Sequence, residues 1–282
     1  MRLYIYACIF FLCLSADFIF AQGGFSAQTG ARSRAMGGAA VTQQDVFSLF
    51  SNPAGVAHLE SLSFGISGEN RFLQEGLNQY QAAVALPSGF GGFGLSVQYF
   101  GFELYNEQKI GLAYARKLTD FLSIGVQFDY LSVNIQEFGN KGAFTFEAGI
   151  QSNFKEQFYF GAHVFSPARV SLTDDDLLPT VMTVGGAWKA SDKLLLAVDV
   201  EKDIDLPVSF QGGLEYFIVD QLALRAGVST APVENHFGLG IYLGQLRIDL
   251  SSSYHQTLGV TPSASISYTP QLKAKPKALD PS

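Results

Sequence analysis

The chain has 282 residues, a formal net charge of −7 and only 15% charged residues, whereas about 25% is usual in soluble domains. The negative charge argues against nucleic-acid binding, which needs basic residues to neutralise phosphates. The two cysteines, Cys8 and Cys13, lie close to the N-terminus. The rest of the chain therefore offers neither a disulfide nor a thiolate metal site.

Residues 1–21 have the pattern of an export signal that is cleaved before Gln22. Arg2 precedes the apolar run Leu3–Leu14, and Ala21 provides a small residue at the cleavage point. An uncleaved anchor, or a lipoprotein modified at one of the cysteines, is the alternative. No later stretch approaches the ~18 apolar residues of a membrane-spanning helix. Insertion into a membrane would therefore require a closed β-barrel, which satisfies every backbone hydrogen bond.

Residues 22–60 have no strand pattern, and we predict that they form a hatch inside the mouth of a barrel. Asp45–Phe50 is a short helix-like run, and a turn of Asn52, Pro53, Ala54 and Gly55 follows it. Pro53 ends the helix because it fixes φ and restricts the preceding residue. Gly55 is expected to let the chain bend sharply again. The alternative is a surface loop that leads to the first strand.

From Ser61 to Tyr268, about fourteen segments alternate between apolar and small or polar residues, which is typical of β-strands. Ala143–Phe154 is the clearest of them. Segment lengths near the ~9–11 residues of a spanning strand favour a transmembrane antiparallel β-barrel over residues 61–269. The high content of Gly, Phe and Tyr suits the same class, with a secreted β-sandwich as the alternative.

The connections between segments alternate in length. Thr119-Asp120 and Ser191-Asp192 are short, whereas Ser166–Pro179 is long. Outer-membrane barrels have short periplasmic turns, so we predict that both termini, including a polar tail at residues 270–282, are periplasmic. Asp174, Asp175 and Asp176 would then lie outside the cell, as a solvated loop or a site for a divalent cation.

Charged residues occur at positions that we predict to face the lumen. Glu215 and Arg225 lie on consecutive strands and are expected to pair, and Arg247 and Asp249 share a face. This mixed-sign network would hold a narrow lumen together, or act as an ion-selective filter. The predicted inward charges are Asp129, Glu147, Asp199, Glu201, Glu215, Arg225, Arg247 and Asp249.

Apolar residues occupy predicted inward positions at the outer ends of three strands. They are Phe100, Phe102, Leu131, Val133, Ile135 and Phe165. Together they would form an apolar pocket inside the outer mouth. A bulge near Tyr130-Leu131 would instead return them to the lipid face.

No arrangement of residues predicts a catalytic centre, a cofactor or a metal site. The histidines are scattered, and no nucleophile-elbow pattern is present. The glycines of Gly89–Gly94 do not open a helix and are expected to mark a bend or bulge in a strand. We therefore expect a protein that is not an enzyme.

The N-terminal segment resembles a known family. Gly30-Ala31-Arg32, Met36-Gly37-Gly38-Ala39 and Asn52-Pro53-Ala54-Gly55 are similar to the signature of PorV/PorQ-type proteins. These belong with FadL-type channels in one superfamily of fourteen-strand outer-membrane barrels. The resemblance implies an N-terminal hatch, and its match covers about thirty residues.

The resemblance also implies two functions. PorV/PorQ-type members are non-enzymatic accessory components of type IX secretion, with secretion-system proteins as partners. FadL-type members are channels for hydrophobic small molecules. The compact loops and charged lumen favour the first function, and the second is the alternative. In either case, outer-membrane lipid surrounds the barrel and no nucleic acid is bound.

Overall fold

The computed structural model describes residues 30–137, 139–173 and 176–270 of the protein. The predicted export signal, residues 22–29, Asp174, Asp175 and residues 271–282 of the tail lie outside the described residues. Asp176 is described by its backbone alone. The proposed cation site in that loop and most of the predicted tail are therefore not described.

Fourteen antiparallel strands form a closed barrel. Strands adjacent in sequence are paired around the barrel, β7 pairs with β10, and β16 closes the barrel on β1. A separate two-stranded hairpin, β8 with β9, lies between β7 and β10. The strands are β1 (Ser63–Asn70), β2 (Asn78–Ser88), β3 (Gly91–Gly101), β4 (Tyr105–Thr119), β5 (Leu122–Ile135), β6 (Gly139–Phe154), β7 (Phe158–Phe165), β8 (Ser171–Thr173), β9 (Asp176–Leu177), β10 (Val181–Lys189), β11 (Leu194–Asp203), β12 (Ser209–Val219), β13 (Leu222–Thr230), β14 (Val233–Leu243), β15 (Leu246–His255) and β16 (Gly259–Tyr268).

The strand faces divide as the alternation predicts. On β6, Phe144, Phe146 and Ile150 are exposed, while Thr145 and Glu147 between them are buried. In a closed barrel the exposed apolar face lies against lipid and the buried polar face lines the lumen. The predicted fold class, a fourteen-strand antiparallel barrel, is confirmed.

Two local features differ from the prediction. Strand β6 begins at Gly139 rather than Ala143, because pairing with β5 continues to the Ile135–Gly139 pair despite the lack of alternation there. The alternation of connection lengths also predicts a longer connection at Ala231–Asn235, but only Ala231 and Pro232 lie between β13 and β14. The segment from Ser166 to Thr180 remains the longest connection between neighbouring barrel strands.

Residues 30–60, which we call the hatch segment, pack against lumen-facing residues of the barrel. The segment contains helix α1 (Ala31–Ala35) and two 3₁₀ helices, Val46–Phe50 and Pro53–His58. Phe47 and Leu49 are buried in a cluster with lumen-facing alanines of β2 and β4. In the part of the chain that is described, no helix is long and apolar enough to cross a membrane.

Candidate functional site

The Asn-Pro-Ala-Gly turn is fastened both to the hatch segment and to the barrel wall. The Asn52 side-chain oxygen accepts a hydrogen bond from the Ala54 N–H (3.1 Å) and so caps the second 3₁₀ helix. The Asn52 amide donates to the backbone oxygens of Val41 (2.8 Å) and, on β6, Ile150 (3.2 Å). Asn52 is fully buried. This one side chain therefore joins two parts of the hatch segment to a strand.

The predicted role of Gly55 as a second sharp bend is wrong. Gly55 lies inside the second 3₁₀ helix, which begins at Pro53 after the first 3₁₀ helix has ended at Phe50. A Cβ at Gly55 would lie 2.3 Å from the backbone oxygen of Gln43 and 2.6 Å from the Ser48 Cβ. Glycine is required here because two parts of the hatch segment approach closely.

Two buried side chains of the wall bind the hatch backbone between its helices. The Asp199 carboxylate on β11 accepts hydrogen bonds from the Ala40 (2.7 Å) and Val41 (2.8 Å) N–H groups. The Gln151 amide on β6 donates to the backbone oxygens of Val41 (2.9 Å) and Gln43 (3.0 Å). These bonds satisfy backbone groups that water does not reach.

The structure brings four of the eight predicted lumen charges into one chain of ion pairs. Glu215 and Arg225 are directly opposite each other on β12 and β13, and the Arg225 Nε donates to Glu215 at 2.5 Å. Arg225 also donates to Asp249 (2.7 Å), which accepts from the Arg247 Nε (2.6 Å). Paired geometry of this kind is the condition under which buried charges are tolerated.

The hatch segment closes this chain into a ring. Arg32 donates twice to Glu215, at 2.7 and 3.0 Å, and Arg247 donates to Asp45 at 2.9 Å. Arg32 and Asp45 then face each other at 3.6 Å. The resulting charge ring alternates in sign, and its members are Arg32, Glu215, Arg225, Asp249, Arg247 and Asp45. The sequence alone did not identify Arg32 and Asp45 as members, although charged residues are conspicuous in a segment of mostly small and apolar residues.

Both hatch members of the charge ring are ionised at neutral pH. Burial alone would raise the pKa of the Asp45 carboxyl, but Arg247 and Arg32 hold that pKa below its usual value. Burial lowers the pKa of Arg32, and Glu215 more than reverses this effect, so the pKa lies well above its usual value. Asp45 also caps the first 3₁₀ helix by accepting from the Phe47 N–H (2.9 Å).

A belt of lumen-facing glycines makes room for the hatch segment. A Cβ at Gly149 would lie 1.9 Å from the Asn52 Oδ1, and a Cβ at Gly125 would lie 2.4 Å from the Ala54 nitrogen. Real Cβ atoms do not approach other atoms so closely, so the wall needs glycine at these contacts with the hatch segment. The glycine belt comprises Gly65, Gly92, Gly94, Gly125, Gly149, Gly161, Gly213, Gly227 and Gly238.

This belt corrects the prediction that Gly89–Gly94 marks a bend or bulge within a strand. Pairing of β3 with both neighbours continues without a register shift through Gly92 and Gly94. A Cβ at Gly94 would lie 2.3 Å from Leu49, and one at Gly92 would lie 2.8 Å from Val56. These two glycines are explained by contact with the hatch segment. Periodicity along one strand does not reveal such a contact.

The structure brings together part of the predicted apolar pocket. Leu131 and Phe165 are buried in an apolar cluster that Val133 contacts. Strand β5 pairs with β4 and β6 without a register shift near Tyr130-Leu131, so the alternative of a bulge at this point is wrong. The cluster is completed by Ala143, Val181 and two residues of the connection after β7, Val170 and Leu178.

The other predicted pocket residues lie apart from this cluster. Phe100 is buried, and the Arg71 guanidinium carbon lies 4.6 Å from the centre of the Phe100 ring. Ile135 is 39% exposed at the end of β5, and Phe102 is 44% exposed beyond the end of β3. The apolar cluster therefore contains fewer of the predicted residues than the pocket that the sequence predicts.

A second buried charge group lies beside the apolar cluster. The Lys109 Nζ on β4 donates to Glu147 at 2.7 Å, lies 4.0 Å from Asp129, and lies 4.8 Å from the Phe165 ring centre. The His163 Nε2 is 2.7 Å from the same Glu147 carboxylate. Asp129 and Glu147, which the sequence predicts to point inward, thus face the lumen and share Lys109. In the described part of the chain, no group of three or more His, Cys, Asp or Glu residues could hold a metal ion.

Comparison with known proteins identifies similar barrels. No family model matches the chain, and no curated protein matches it by sequence. The Ralstonia pickettii toluene transporter TbuX is similar in structure, with a TM-score of 0.66 and 14% identity over 86% of this chain and 98% of that one. The barrel has the fold of FadL-like outer-membrane barrels.

Two further solved structures support the same fold. The Pseudomonas putida toluene transporter TodX has a TM-score of 0.65 and 13% identity, covering 86% of this chain and 97% of that one. A Pseudomonas aeruginosa FadL homologue has a TM-score of 0.61 and 13% identity, covering 86% of this chain and 98% of that one. At these identities the likeness establishes the fold.

Proposed function

We propose that this protein is an outer-membrane passage for small hydrophobic molecules, with the hatch segment as its closure. The observation that carries the proposal is the glycine belt. At nine positions where the hatch segment touches the wall, the wall contributes glycine rather than a side chain that would fill the lumen. A fourteen-strand barrel has an interior wide enough for a solute if nothing fills it. The lumen at this level is closed by a separate segment of chain.

Two further observations support this function over an ion channel. The charge ring contains three basic and three acidic groups, which leaves no net charge to select ions. The apolar cluster around Leu131 and Phe165 provides an apolar surface on the lumen side of the outer wall. TbuX and TodX, two barrels of similar structure, are both toluene transporters.

Deletion of residues 22–59 tests the proposal. The deletion removes Arg32 and Asp45 together, so the four barrel charges of the ring stay balanced and the barrel is expected to fold. We expect single-channel conductance in planar bilayers to rise and an apolar dye to enter cells. Deletion of residues 271–282 is the control, and it should change neither measurement. A hatch deletion with unchanged conductance and dye entry would contradict the passage.

The PorV/PorQ-type accessory function in type IX secretion is the second candidate, and one observation favours it. The residues of the family-like signature, including Arg32, Asn52 and Gly55, are those that fasten the hatch segment. A hatch so firmly held suits a closed barrel that acts by binding partners. Under this function, the hatch deletion would leave conductance unchanged and abolish co-purification with secretion-system proteins from native outer membrane.

A further inference from the structure

Strand β11 carries three acidic residues at successive lumen-facing positions: Asp199, Glu201 and Asp203. Their nearest neighbours across the sheet are uncharged. On β10 the paired residues are Gly185, Thr183 and Val181, and on β12 they are Gln211 and Ser209. We call Asp199, Glu201 and Asp203 the acidic stripe. It places three carboxyl groups on one wall of the lumen.

The acidic stripe differs from the other lumen charges because it lacks basic partners. Within the described residues, no salt bridge reaches any of its three carboxylates, whereas every member of the charge ring has one. The Asp199 Oδ2 binds the hatch backbone, and the Oδ1 has no hydrogen-bond partner. The Asp203 Oδ1 accepts from the backbone of Asp205 (3.0 Å). A buried carboxylate without a cationic partner either takes up a proton or is stabilised by a bound cation.

An independent polar group faces the stripe from the neighbouring strand. Ser209 lies directly opposite Glu201 in the pairing of β11 with β12. Its hydroxyl is buried, with only 3% of the residue exposed, and has no hydrogen-bond partner. A hydroxyl oxygen beside a carboxylate adds a second oxygen whose lone pairs can face a cationic group at this position.

The apolar cluster adjoins the acidic stripe. Val181 is paired with Asp203 on one side and with Phe165 on the other. Val181 and Phe165 both belong to the apolar cluster, with Leu131 and Leu178. The acidic stripe on β11 and the apolar cluster on β7 and β10 are therefore direct neighbours on the lumen side of the wall.

We propose that the acidic stripe and the adjoining apolar cluster bind an organic cation, a hydrophobic molecule that carries an amine or a quaternary ammonium group. Successive lumen-facing residues on a strand are about 6.8 Å apart, which is too wide for one metal ion to span the three carboxylates. An ammonium group with an attached apolar body fits both surfaces. The inference rests on the proposed passage and names the charge of its solute.

The test compares three probes of equal chain length on the full-length protein in nanodiscs of zwitterionic phosphatidylcholine. Calorimetric titration with hexyltrimethylammonium should give binding at least about tenfold tighter than with hexanol or hexanoate. Equal affinities for the three probes would overturn the proposal. So would displacement of the ammonium probe by calcium chloride together with equally tight binding of tetramethylammonium, which has no apolar chain, since that result identifies an inorganic cation site.

Substitution separates the stripe from general negative charge. The double variant E201Q and D203N should bind the ammonium probe at least about tenfold more weakly. The control D205N removes an exposed carboxylate, whose side chain is 61% accessible, and should leave the affinity unchanged. An equal loss in both variants would overturn the proposal. If the double variant fails to fold, the ranking of the three probes on the unaltered chain decides.

The titrations measure binding of the probes and do not depend on their passage through the barrel. Loss of the ammonium preference overturns this site and leaves the passage untouched. A hatch deletion that opens no pore overturns the passage and leaves the ammonium preference standing.

Discussion

Each charge in the ring is held by neighbours of opposite sign, and this explains how six ionisable groups can stay in the lumen. Arg225 is fully buried and contacts two carboxylates, Glu215 and Asp249. Removing water from an ion costs several kcal/mol, which is offset only when its partners are well placed. Loss of any one member would leave its neighbours with an unpaired charge.

A double-mutant cycle tests the central pair. E215Q and R225M should each destabilise the barrel by about 3–5 kcal/mol, because each leaves an uncompensated buried charge. The double variant should lose less than the sum of the two. The measurement is urea unfolding of the refolded barrel, with the folded fraction determined from heat-modifiability on gels.

The exposed pair Lys189 and Asp192, 3.0 Å apart, is the matched control. Its single variants should leave stability almost unchanged, because exposed ion pairs contribute little to it. Strictly additive losses at Glu215 and Arg225 would contradict the pairing.

The glycine belt makes a second prediction at the scale of one residue. G149A places a methyl group where the Asn52 amide lies, so the hatch segment must shift, at a cost on the order of 1–3 kcal/mol. We expect faster hydrogen exchange and proteolysis in residues 40–58. G212A is the control, since its Cβ would have no neighbour closer than 4.0 Å. A hatch equally protected in both variants would show that the belt is not needed for its seating.

At the scale of the element, the end of the second 3₁₀ helix is sensitive to acid. Burial, with a smaller effect of Lys117, lowers the pKa of His58 from 6.5 to about 4. Its Nε2 lies 3.0 Å from the Ser123 Oγ of the wall. The docked residue is therefore neutral in a pH range where a released, solvated His58 is protonated.

The sign of the pH dependence follows from linkage. The released state binds a proton below about pH 6.5, so docking should weaken as the pH falls from 6.5 towards 4 and should be constant above 6.5. Hydrogen exchange of the hatch segment at pH 4.5 and 7.5 measures this change. H58Q should flatten the dependence, and an unchanged slope in H58Q would assign it to another group.

The strands were largely predictable from the sequence because alternation is local. One face must meet lipid along its whole length, so segments such as Ala143–Phe154 carry a clear period of two. Pairing of Glu215 with Arg225 followed from the same argument, because both residues flank one short turn. The start of β6 at Gly139 was missed because residues 139–142 do not alternate between apolar and polar side chains.

The site was less predictable because its contacts are distant in sequence. Arg32 meets Glu215, and Asn52 meets Ile150, across separations that no periodicity encodes. The Asn-Pro-Ala-Gly turn was identified, but the need for Gly55 arises from the backbone of Gln43 rather than from a bend. A glycine required by close approach looks the same in sequence as a glycine required by a turn.

At the scale of the whole molecule, the alternation of connections predicts orientation. A protease-cleavable tag inserted at Ala168, in the connection after β7, should be cut on intact cells. A tag at Asp192, in a short turn at the opposite end, should be cut only after the outer membrane is opened. The reverse pattern would place the termini outside the cell and contradict the assignment of short turns to the periplasm.

The unequal lengths of the strands have a consequence for the surrounding bilayer. Strands β4 and β6 have 15 and 16 residues, whereas β7 and β10 have 8 and 9. At about 3.4 Å per residue, β4 and β6 are close to twice as long as β7 and β10, although β6 is paired directly with β7. Lipids adapt to a short hydrophobic wall by thinning, and a barrel adapts to a tall one by tilting. We expect the protein to lean in the membrane, with a thinned patch of lipid beside β7 and β10.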